Sequence, residues 1–115
     1  ASAQVKTLRS LGINARFITS GDAKLVKSLI DRGIPVPCGI LHKGPAAAPV
    51  GSGHWICVVG YDSRGFIVND PWGEIRNSDG VYISHDGKHI HYSYNLFDTR
   101  WTVTGSSDGW CIVVD

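Results

Sequence analysis

A histidine and a carboxylate bracket two neighbouring apolar runs, and their types suit proton-transfer chemistry. His54 stands before the apolar run 56–59, and Asp70 follows the run 67–68. A carboxylate beside an imidazole fixes the tautomer of the ring and stabilises its protonated form. The pair would therefore supply the orienting half of a nucleophile–histidine–acid triad. The alternative is a histidine at a strand edge and an aspartate that begins the turn at Pro71.

The segment between these two residues is typical of a β-hairpin, which returns the chain toward its starting point. The tetrapeptide 62–65 favours a turn, and a three-residue loop ending at a left-handed Gly65 would place His54 and Asp70 on one face of the ribbon. That register pairs Asp70 with Val58, so direct contact with His54 needs a shifted loop, a bend or a bulge. The sequence predicts the shared face and leaves the distance open.

The residues around the pair resemble the papain-like cysteine peptidases of the C39 and C39-like families. The matching motifs are Gly53-His54-Trp55, Val59-Gly60-Tyr61-Asp62 and Val68-Asn69-Asp70-Pro71. The segment Leu25 to Ile40 is similar to the helix and Gly-Ile-Pro-Val strand that precede the histidine in that family. The resemblance spans roughly residues 5 to 75. It implies an α+β, papain-like core in which N-terminal helices pack on a mostly antiparallel sheet.

The resemblance also implies a reaction, the hydrolysis of peptide bonds. His54 would be the general base and then the acid, and Asp70 would orient it. Gly53, Trp55 and Trp72 are the candidate residues of the substrate cleft, and Trp72 either shields the pair from water or packs the sheet edge. The substrate would be a peptide of bacterial peptidoglycan or a bacteriocin leader peptide cleaved after a double glycine. We expect no cofactor and no metal.

One part of the family pattern has no counterpart in these 115 residues. In the family, the nucleophilic cysteine begins a helix well upstream of the histidine, and a glutamine for the oxyanion hole lies just before it. We therefore expect residues 1–115 to be a single C39-like domain without its nucleophile helix. The cysteine would come from a longer polypeptide or a separate N-terminal fragment. Otherwise the chain is an inactive module that binds peptide or builds a larger, phage-tail-like assembly.

The sequence contains three cysteines, Cys38, Cys57 and Cys111. All three lie in apolar, strand-like runs, which predicts buried free thiols. Cys38 is followed by glycine, as at the family's nucleophile. Its surroundings, residues 35–41, are typical of a strand broken by prolines, and no helix N-terminus is available to lower its pKa. We therefore do not predict Cys38 as the nucleophile.

The remaining pattern predicts short elements and many turns. Between the strand that ends near residue 41 and His54 lies a loop rich in glycine and proline, residues 42–53, which is either a wall of the substrate cleft or a plain connector. The predicted helices are 3–11 and 23–32, and the further strands are 14–19, 34–41, 81–84, 88–91, 92–97, 100–104 and 109–114. The strands 81–84 and 88–91 are predicted to form a hairpin around Asp86-Gly87.

Composition excludes several classes of function. Lysine and arginine number 11 against 10 acidic residues, and no basic cluster is interleaved with aromatics, so nothing favours nucleic acid. No apolar run approaches the length of a membrane span. His85, His89 and His91 suggest a metal site, but exposed hairpins also carry histidines. No cysteine or glutamate lies at a matching spacing, so we predict no metal there.

The C-terminal segments 101–103 and 109–112 resemble the ends of C39-like domains in phage-encoded cell-wall lysins. This second resemblance rests on fewer residues than the histidine and aspartate motifs. It implies peptidoglycan as the substrate and a location outside the cell, in the cell wall or on a virion.

Overall fold

A six-stranded sheet with helices on both faces forms the centre of the fold. The computed structural model describes residues 1–51 and 53–115. The helices in that part of the chain are α1 (Ser2–Ser10), α2 (Ala23–Asp31) and α3 (Tyr94–Trp101). The strands there are β1 (Ala15–Gly21), β2 (Val36–Ile40), β3 (His54–Tyr61), β4 (Gly65–Asn69), β5 (Glu74–Ile75), β6 (Tyr82–Ser84), β7 (Ile90–Ser93) and β8 (Gly109–Val114).

The strand order in the sheet is β1-β8-β2-β3-β4-β7, and neighbouring strands run antiparallel. The C-terminal strand β8 lies between β1 and β2, so the two ends of the chain meet in the sheet. β5 and β6 form a separate two-stranded ribbon. The prediction of an α+β fold with a mostly antiparallel sheet is confirmed.

The helices cover opposite faces of the sheet, because side chains alternate along each strand. α2 and α3 contribute Val26, Leu29 and Phe97 to a large apolar cluster that also contains buried residues of β2, β3 and β4. α1 contributes Val5 to a smaller cluster on the other face, which includes Ala15 and Ile112. The predicted packing of N-terminal helices on the sheet is confirmed, and α3 adds a C-terminal helix.

The start of α2 follows directly from its sequence. The Asp22 side chain accepts a hydrogen bond from the backbone N–H of Leu25 at 2.8 Å, which satisfies one of the free donors at the helix N-terminus. Gly33 follows the helix with a φ of 75°, a conformation that glycine adopts at little cost. The predicted helix 23–32 is therefore confirmed, and it ends one residue early.

The hairpin of β3 and β4 differs from the predicted one at its turn. Asp62 and Gly65 close a two-residue loop through a backbone hydrogen bond of 2.9 Å. Gly65 is the first residue of β4 and is not left-handed, so that part of the prediction is wrong. Glycine is needed there because a Cβ would collide with the carbonyl oxygen of Tyr92 on β7.

A bulge in β3 restores the predicted shared face. A two-residue loop alone would put His54 and Asp70 on opposite faces of the ribbon. The pairing shifts between Val58 and Gly60, where one extra residue enters β3, and Cys57 then lies opposite Asn69. The extra residue returns His54 to the face of Asp70. A bulge was one of the routes to direct contact that the sequence left open.

The predictions for residues 81–104 are confirmed in part, because β6 and β7 lie close to the predicted strands 81–84 and 88–91. β6 pairs with β5 and β7 pairs with β4, so the two strands do not form a hairpin around Asp86-Gly87. The predicted strands 92–97 and 100–104 are replaced by the end of β7, by α3 and by a loop. The Ser93 hydroxyl caps α3 by accepting from the N–H of Leu96 at 3.1 Å. Strand 109–114 is confirmed as β8.

The predicted loop 42–53 includes Ser52, which lies outside the described residues. Within the rest of this loop, Lys43 and Val50 form an isolated antiparallel bridge. This bridge brings the two arms of the loop together shortly before the chain enters β3.

Candidate active site

The structure brings the side chains of His54 and Asp70 into direct contact. Nε2 of His54, the first residue of β3, lies 2.6 Å from Oδ1 of Asp70, which directly follows β4. Both residues are buried, at 9% and 2% exposure. A hydrogen bond this short in a buried position holds the imidazole in one orientation.

Asp70 accepts hydrogen bonds from four groups. Besides His54, its carboxylate accepts from the backbone N–H of Trp72 at 3.0 Å and from the hydroxyls of Tyr82 and Tyr92 at 3.1 and 2.9 Å. An ionised carboxylate offers about four acceptor sites, so this environment matches the charged form. Burial alone would raise the pKa of Asp70, but the hydrogen bonds from His54, Trp72 and Tyr92 bring it below its ordinary value.

The charged Asp70 determines the tautomer of His54. Since the carboxylate only accepts, the proton of the neutral imidazole must sit on Nε2. Nδ1 then carries the lone pair, and it makes no hydrogen bond to any residue that the structure describes. A free imidazole nitrogen oriented through its other nitrogen is the arrangement of a general base.

Two tyrosines hold the carboxylate in place. Tyr92 is buried, with 1% of the residue exposed. Its hydroxyl accepts a hydrogen bond from the backbone N–H of Ile75 at 3.0 Å and lies 3.0 Å from the carbonyl oxygen of Gly73. Burial and the neighbouring charge of Asp70 raise the pKa of both Tyr82 and Tyr92. Both hydroxyls therefore stay protonated and remain donors at neutral pH.

Aromatic rings enclose the imidazole of His54. The ring of His42 stacks on it with a centroid distance of 4.3 Å and an angle of 19° between the ring planes. Trp72 contacts both histidines edge-on, at 5.2 Å from His42 and 5.9 Å from His54, and 53% of Trp72 remains exposed. Trp72 therefore lies against the pair and also borders the solvent.

The other two predicted cleft residues, Gly53 and Trp55, contact different parts of the molecule. Gly53, with a φ of 84°, lines a cavity of about 330 Å³ whose wall also includes Ile40 and Trp110. The structure places Trp55 on the other face of β3, edge-on against Phe17. Gly53 thus borders a cavity whose described wall does not include His54, and the side chain of Trp55 lies on the opposite face of β3 from His54.

The three cysteines are unsuited to nucleophilic attack. They are free, and each lies within a strand instead of at a helix N-terminus. Burial raises the pKa of Cys38 well above its ordinary value, raises that of Cys57, and brings that of Cys111 to about 12. A thiol with a raised pKa forms little thiolate at neutral pH.

His85, His89 and His91 do not converge. His91 lies 3.1 Å from Asp62 through its Nε2, and His85 and His89 are exposed. Among the residues that the structure describes, no group of three or more His, Cys, Asp or Glu side chains is placed to hold a metal ion.

Sequence reasoning missed His42, Tyr82, Tyr92 and Arg100. Ile40 pairs with His54 across β2 and β3, so His42, two residues further on, was a candidate neighbour once these strands were paired. Tyr92 was predicted to be a strand residue, but nothing in the local pattern showed that β7 would lie beside β4 and bring it to Asp70. Tyr82 and Arg100 carry no local signal of this kind.

A comparison with known families gives one match that covers most of the chain. Residues 7–107 match the Peptidase_C39 like family, and the chain belongs to that family. No curated protein and no solved structure matches the chain. No helix in the described part of the chain is long and apolar enough to cross a membrane.

Proposed function

We propose that this chain carries the histidine and aspartate of a cysteine peptidase site. The hydrogen bond of 2.6 Å between His54 and the buried Asp70 supports this role most strongly. Nδ1 of His54 accepts the thiol proton, and the resulting thiolate attacks the carbonyl carbon of a peptide bond. His54 then gives this proton to the leaving amine, and a water molecule releases the acyl group from the sulfur. Asp70 orients the ring and stabilises the imidazolium without itself taking the proton.

The thiolate comes from outside these 115 residues. The raised pKa values and strand positions of Cys38, Cys57 and Cys111 support this proposal. The resemblance to the C39 families implies a cysteine at the start of a helix, with a glutamine for the oxyanion hole just before it. Residues 1–115 then form one domain that receives this helix from a longer polypeptide or a separate fragment.

The substrate class is the peptide part of bacterial peptidoglycan. The resemblance of segments 101–103 and 109–112 to phage lysins supports it, and it would place the protein in the cell wall or on a virion. A cavity of about 330 Å³, bordered by Gly53, Ile40 and Trp110, offers space for a peptide side chain. A leader peptide cleaved after a double glycine is the other substrate that the family suggests.

The test is labelling with an amide-mimicking, cysteine-reactive probe, followed by mass spectrometry of the complete polypeptide that contains this chain. We expect one rapidly labelled cysteine outside residues 1–115, and we expect His54→Ala to abolish the rapid labelling. His85→Gln, an exposed histidine substitution, is the matched control and should label like the wild type. Rapid labelling of Cys38, Cys57 or Cys111, or labelling that survives His54→Ala, would contradict the proposed roles.

A second candidate function is peptide binding without catalysis, or a structural role in a larger assembly. It is favoured by one observation, that none of the three cysteines in the chain has the environment of a nucleophile. Isothermal titration with soluble peptidoglycan fragments distinguishes the two functions. Binding without hydrolysis, together with no rapidly labelled cysteine, would support this second function over the first.

A further inference from the structure

His42 lies in the loop after β2, is 6% exposed, and is one of the few buried polar residues of the described chain. Its position follows from the sheet. Ile40 at the end of β2 pairs with His54 at the start of β3, so the chain that continues from Ile40 passes beside the His54 ring. A polar side chain this deeply buried needs partners for its nitrogens.

The partners of His42 connect it to Asp70 by two routes. Its ring stacks on His54, with 4.3 Å between centroids, and His54 is bonded to Asp70. Its Nδ1 lies 3.0 Å from the hydroxyl oxygen of Tyr82, and that hydroxyl donates to Asp70 at 3.1 Å. The four side chains therefore form a closed ring of contacts.

Counting protons assigns a tautomer to His42. Tyr82 has one hydroxyl proton. It donates this proton in its hydrogen bond to Asp70, because an ionised carboxylate can only accept hydrogen bonds. The Tyr82 oxygen must then accept from His42, so the proton of neutral His42 sits on Nδ1. From these contacts we propose that His42 is a positioning residue, which holds the His54 ring against Asp70 by stacking and is itself held by Tyr82. This role rests on the proposed function of His54.

The loop that carries His42 is tethered by a buried guanidinium. Arg100 of α3 is 0% exposed and donates to the carbonyl oxygens of Leu41 at 3.3 Å, Lys43 at 3.2 Å and Gly44 at 2.8 Å. These carbonyls flank His42 on both sides along the chain. The stacked ring is thus positioned by the backbone as well as by Tyr82.

Burial and the charges that face His42 favour the neutral form of its ring. Burial, the charge of His54 and the charge of Lys43 lower its pKa, and Arg100 acts in the same direction, while Asp70 opposes them. Toward His42, the hydroxyl oxygen of Tyr82 is a neutral acceptor. Since His54 becomes cationic when it takes the thiol proton, a neutral His42 can remain stacked on it during the reaction.

The experiment is NMR of the 115-residue chain labelled with ¹⁵N in its histidines. The observables are the tautomers of His42 and His54 and the exchange rate of the His54 Nε2–H proton with water. His42→Ala removes both the stack and the hydrogen bond, and His42→Phe keeps an aromatic ring in the stack. Tyr82→Phe removes the hydroxyl alone, and His85→Gln is the control at an exposed histidine.

The expected result for His54 is a slowly exchanging Nε2–H in the wild type, in His42→Phe and in His85→Gln. In His42→Ala we expect exchange to be at least about tenfold faster, because the ring can leave Asp70 more often. An unchanged exchange rate and tautomer in His42→Ala would overturn the proposal. If His42→Ala does not fold, equal exchange in wild type and His42→Phe supports the stacking role, and lost protection in His42→Phe overturns it.

The expected result for His42 itself is a proton on Nδ1 in the wild type, which Tyr82→Phe abolishes. A proton on Nε2 of wild-type His42 would overturn the proposed bond to Tyr82. In the complete polypeptide, His42→Ala should lower kcat by about 10- to 100-fold with little change in KM. If the wild type hydrolyses no peptide while the NMR results hold, the proposed function fails, and His42 holds the His54 ring against Asp70 as a structural contact only.

Discussion

At the scale of single residues, Asp70 has the most demanding surroundings in the candidate site. Its buried carboxylate collects donors from Trp72, Tyr82 and Tyr92 as well as from His54. Loss of any one of these partners lowers the stability of the fold, because a buried donor without an acceptor is unfavourable. The same carboxylate therefore orients His54 and holds together the segments that follow β4.

Replacing Asp70 by asparagine tests this dependence. The amide nitrogen cannot accept hydrogen bonds, so up to two donors lose their partner, and we expect Asp70→Asn to lower the free energy of unfolding by about 2–4 kcal/mol. Urea denaturation measures the change. Asp115→Asn, at an exposed carboxylate that lies 3.5 Å from Arg16, is the control, and it should change stability by less than about 0.5 kcal/mol. Equal stability of the two variants would contradict the account of Asp70.

The pKa shifts at the site predict how stability depends on pH. The folded pKa values of His42 and Asp70 both lie below their ordinary values, so the unfolded chain binds more protons and stability falls on acidification. The loss should begin below about pH 6.5 for His42 and below about pH 4 for Asp70. Each loss continues as the pH falls through the folded pKa of that group.

Urea midpoints between about pH 8 and about pH 3 measure both parts of this loss of stability. The upper limb is the part attributed to His42, and the lower limb is the part to which Asp70 contributes. His42→Phe should flatten the upper limb, and Asp70→Asn should reduce the lower one. Asp62 and Asp79, whose pKa values are about 2, contribute to the lower limb in every variant. His85→Gln should leave the upper limb unchanged, and an upper limb that persists in His42→Phe would show that His42 is not its source.

At the scale of elements, the bulge in β3 and the cap of α3 decide which side chains reach the site. The bulge between Val58 and Gly60 turns His54 to the face of Asp70. The Ser93 cap ends β7 and begins α3, so Tyr92 points to Asp70 and Arg100 reaches the loop of His42. A local change in either element therefore affects the geometry of the pair.

The α3 cap is tested by Ser93→Ala. We expect a loss of about 1 kcal/mol of stability, because the N–H of Leu96 loses its acceptor. Ser28→Ala is the control, since Ser28 is an exposed residue within α2 whose hydroxyl bonds only to the preceding turn. Urea denaturation and the helical circular dichroism signal report the change. A Ser93→Ala variant as stable as Ser28→Ala would contradict a capping role.

At the scale of the whole molecule, Arg100 joins parts of the chain that are far apart in sequence. It lies on α3, and it donates to carbonyls of the segment 41–44 and to that of Asn77 at 3.0 Å. Burial lowers the pKa of this guanidinium, yet it remains charged because the ordinary pKa of arginine is far above neutral. Arg100 therefore connects the helix layer with the loops around the site.

Arg100→Met tests this connection. The methionine side chain fills similar space, but the carbonyl oxygens that accept from Arg100 lose their donors. We therefore expect the free energy of unfolding to fall by about 3 kcal/mol. We also expect faster exchange of the His54 Nε2–H, because the loop of His42 is released. Arg16→Met is the control, at an arginine whose side chain is 56% exposed. An Arg100→Met variant that keeps both the stability and the His54 signal would contradict the tether.

Much of the fold was predictable because its signals are local. The Asp22 cap and apolar spacing of α2, the alternation in β2 and β3, and the turn at 62–65 each depend on residues close in sequence. Residues 94–104 were mispredicted because their aromatic and branched residues favour strands. Burial of Phe97 and Trp101 against the sheet and the Ser93 cap favour a helix there instead.

The sequence by itself determined the α+β class and the two strands at whose ends His54 and Asp70 lie, because chain direction and side-chain alternation follow from local pattern. It predicted the shared face through a three-residue loop, whereas the structure reaches that face through a two-residue loop and the bulge in β3. Only the tertiary structure decided that the two side chains touch and that His42, Tyr82 and Tyr92 surround them. Tyr92 lies 22 residues from Asp70, and Tyr82 lies 40 residues from His42. Contacts over such separations depend on the order of strands in the sheet, and that order is set by packing of the whole core.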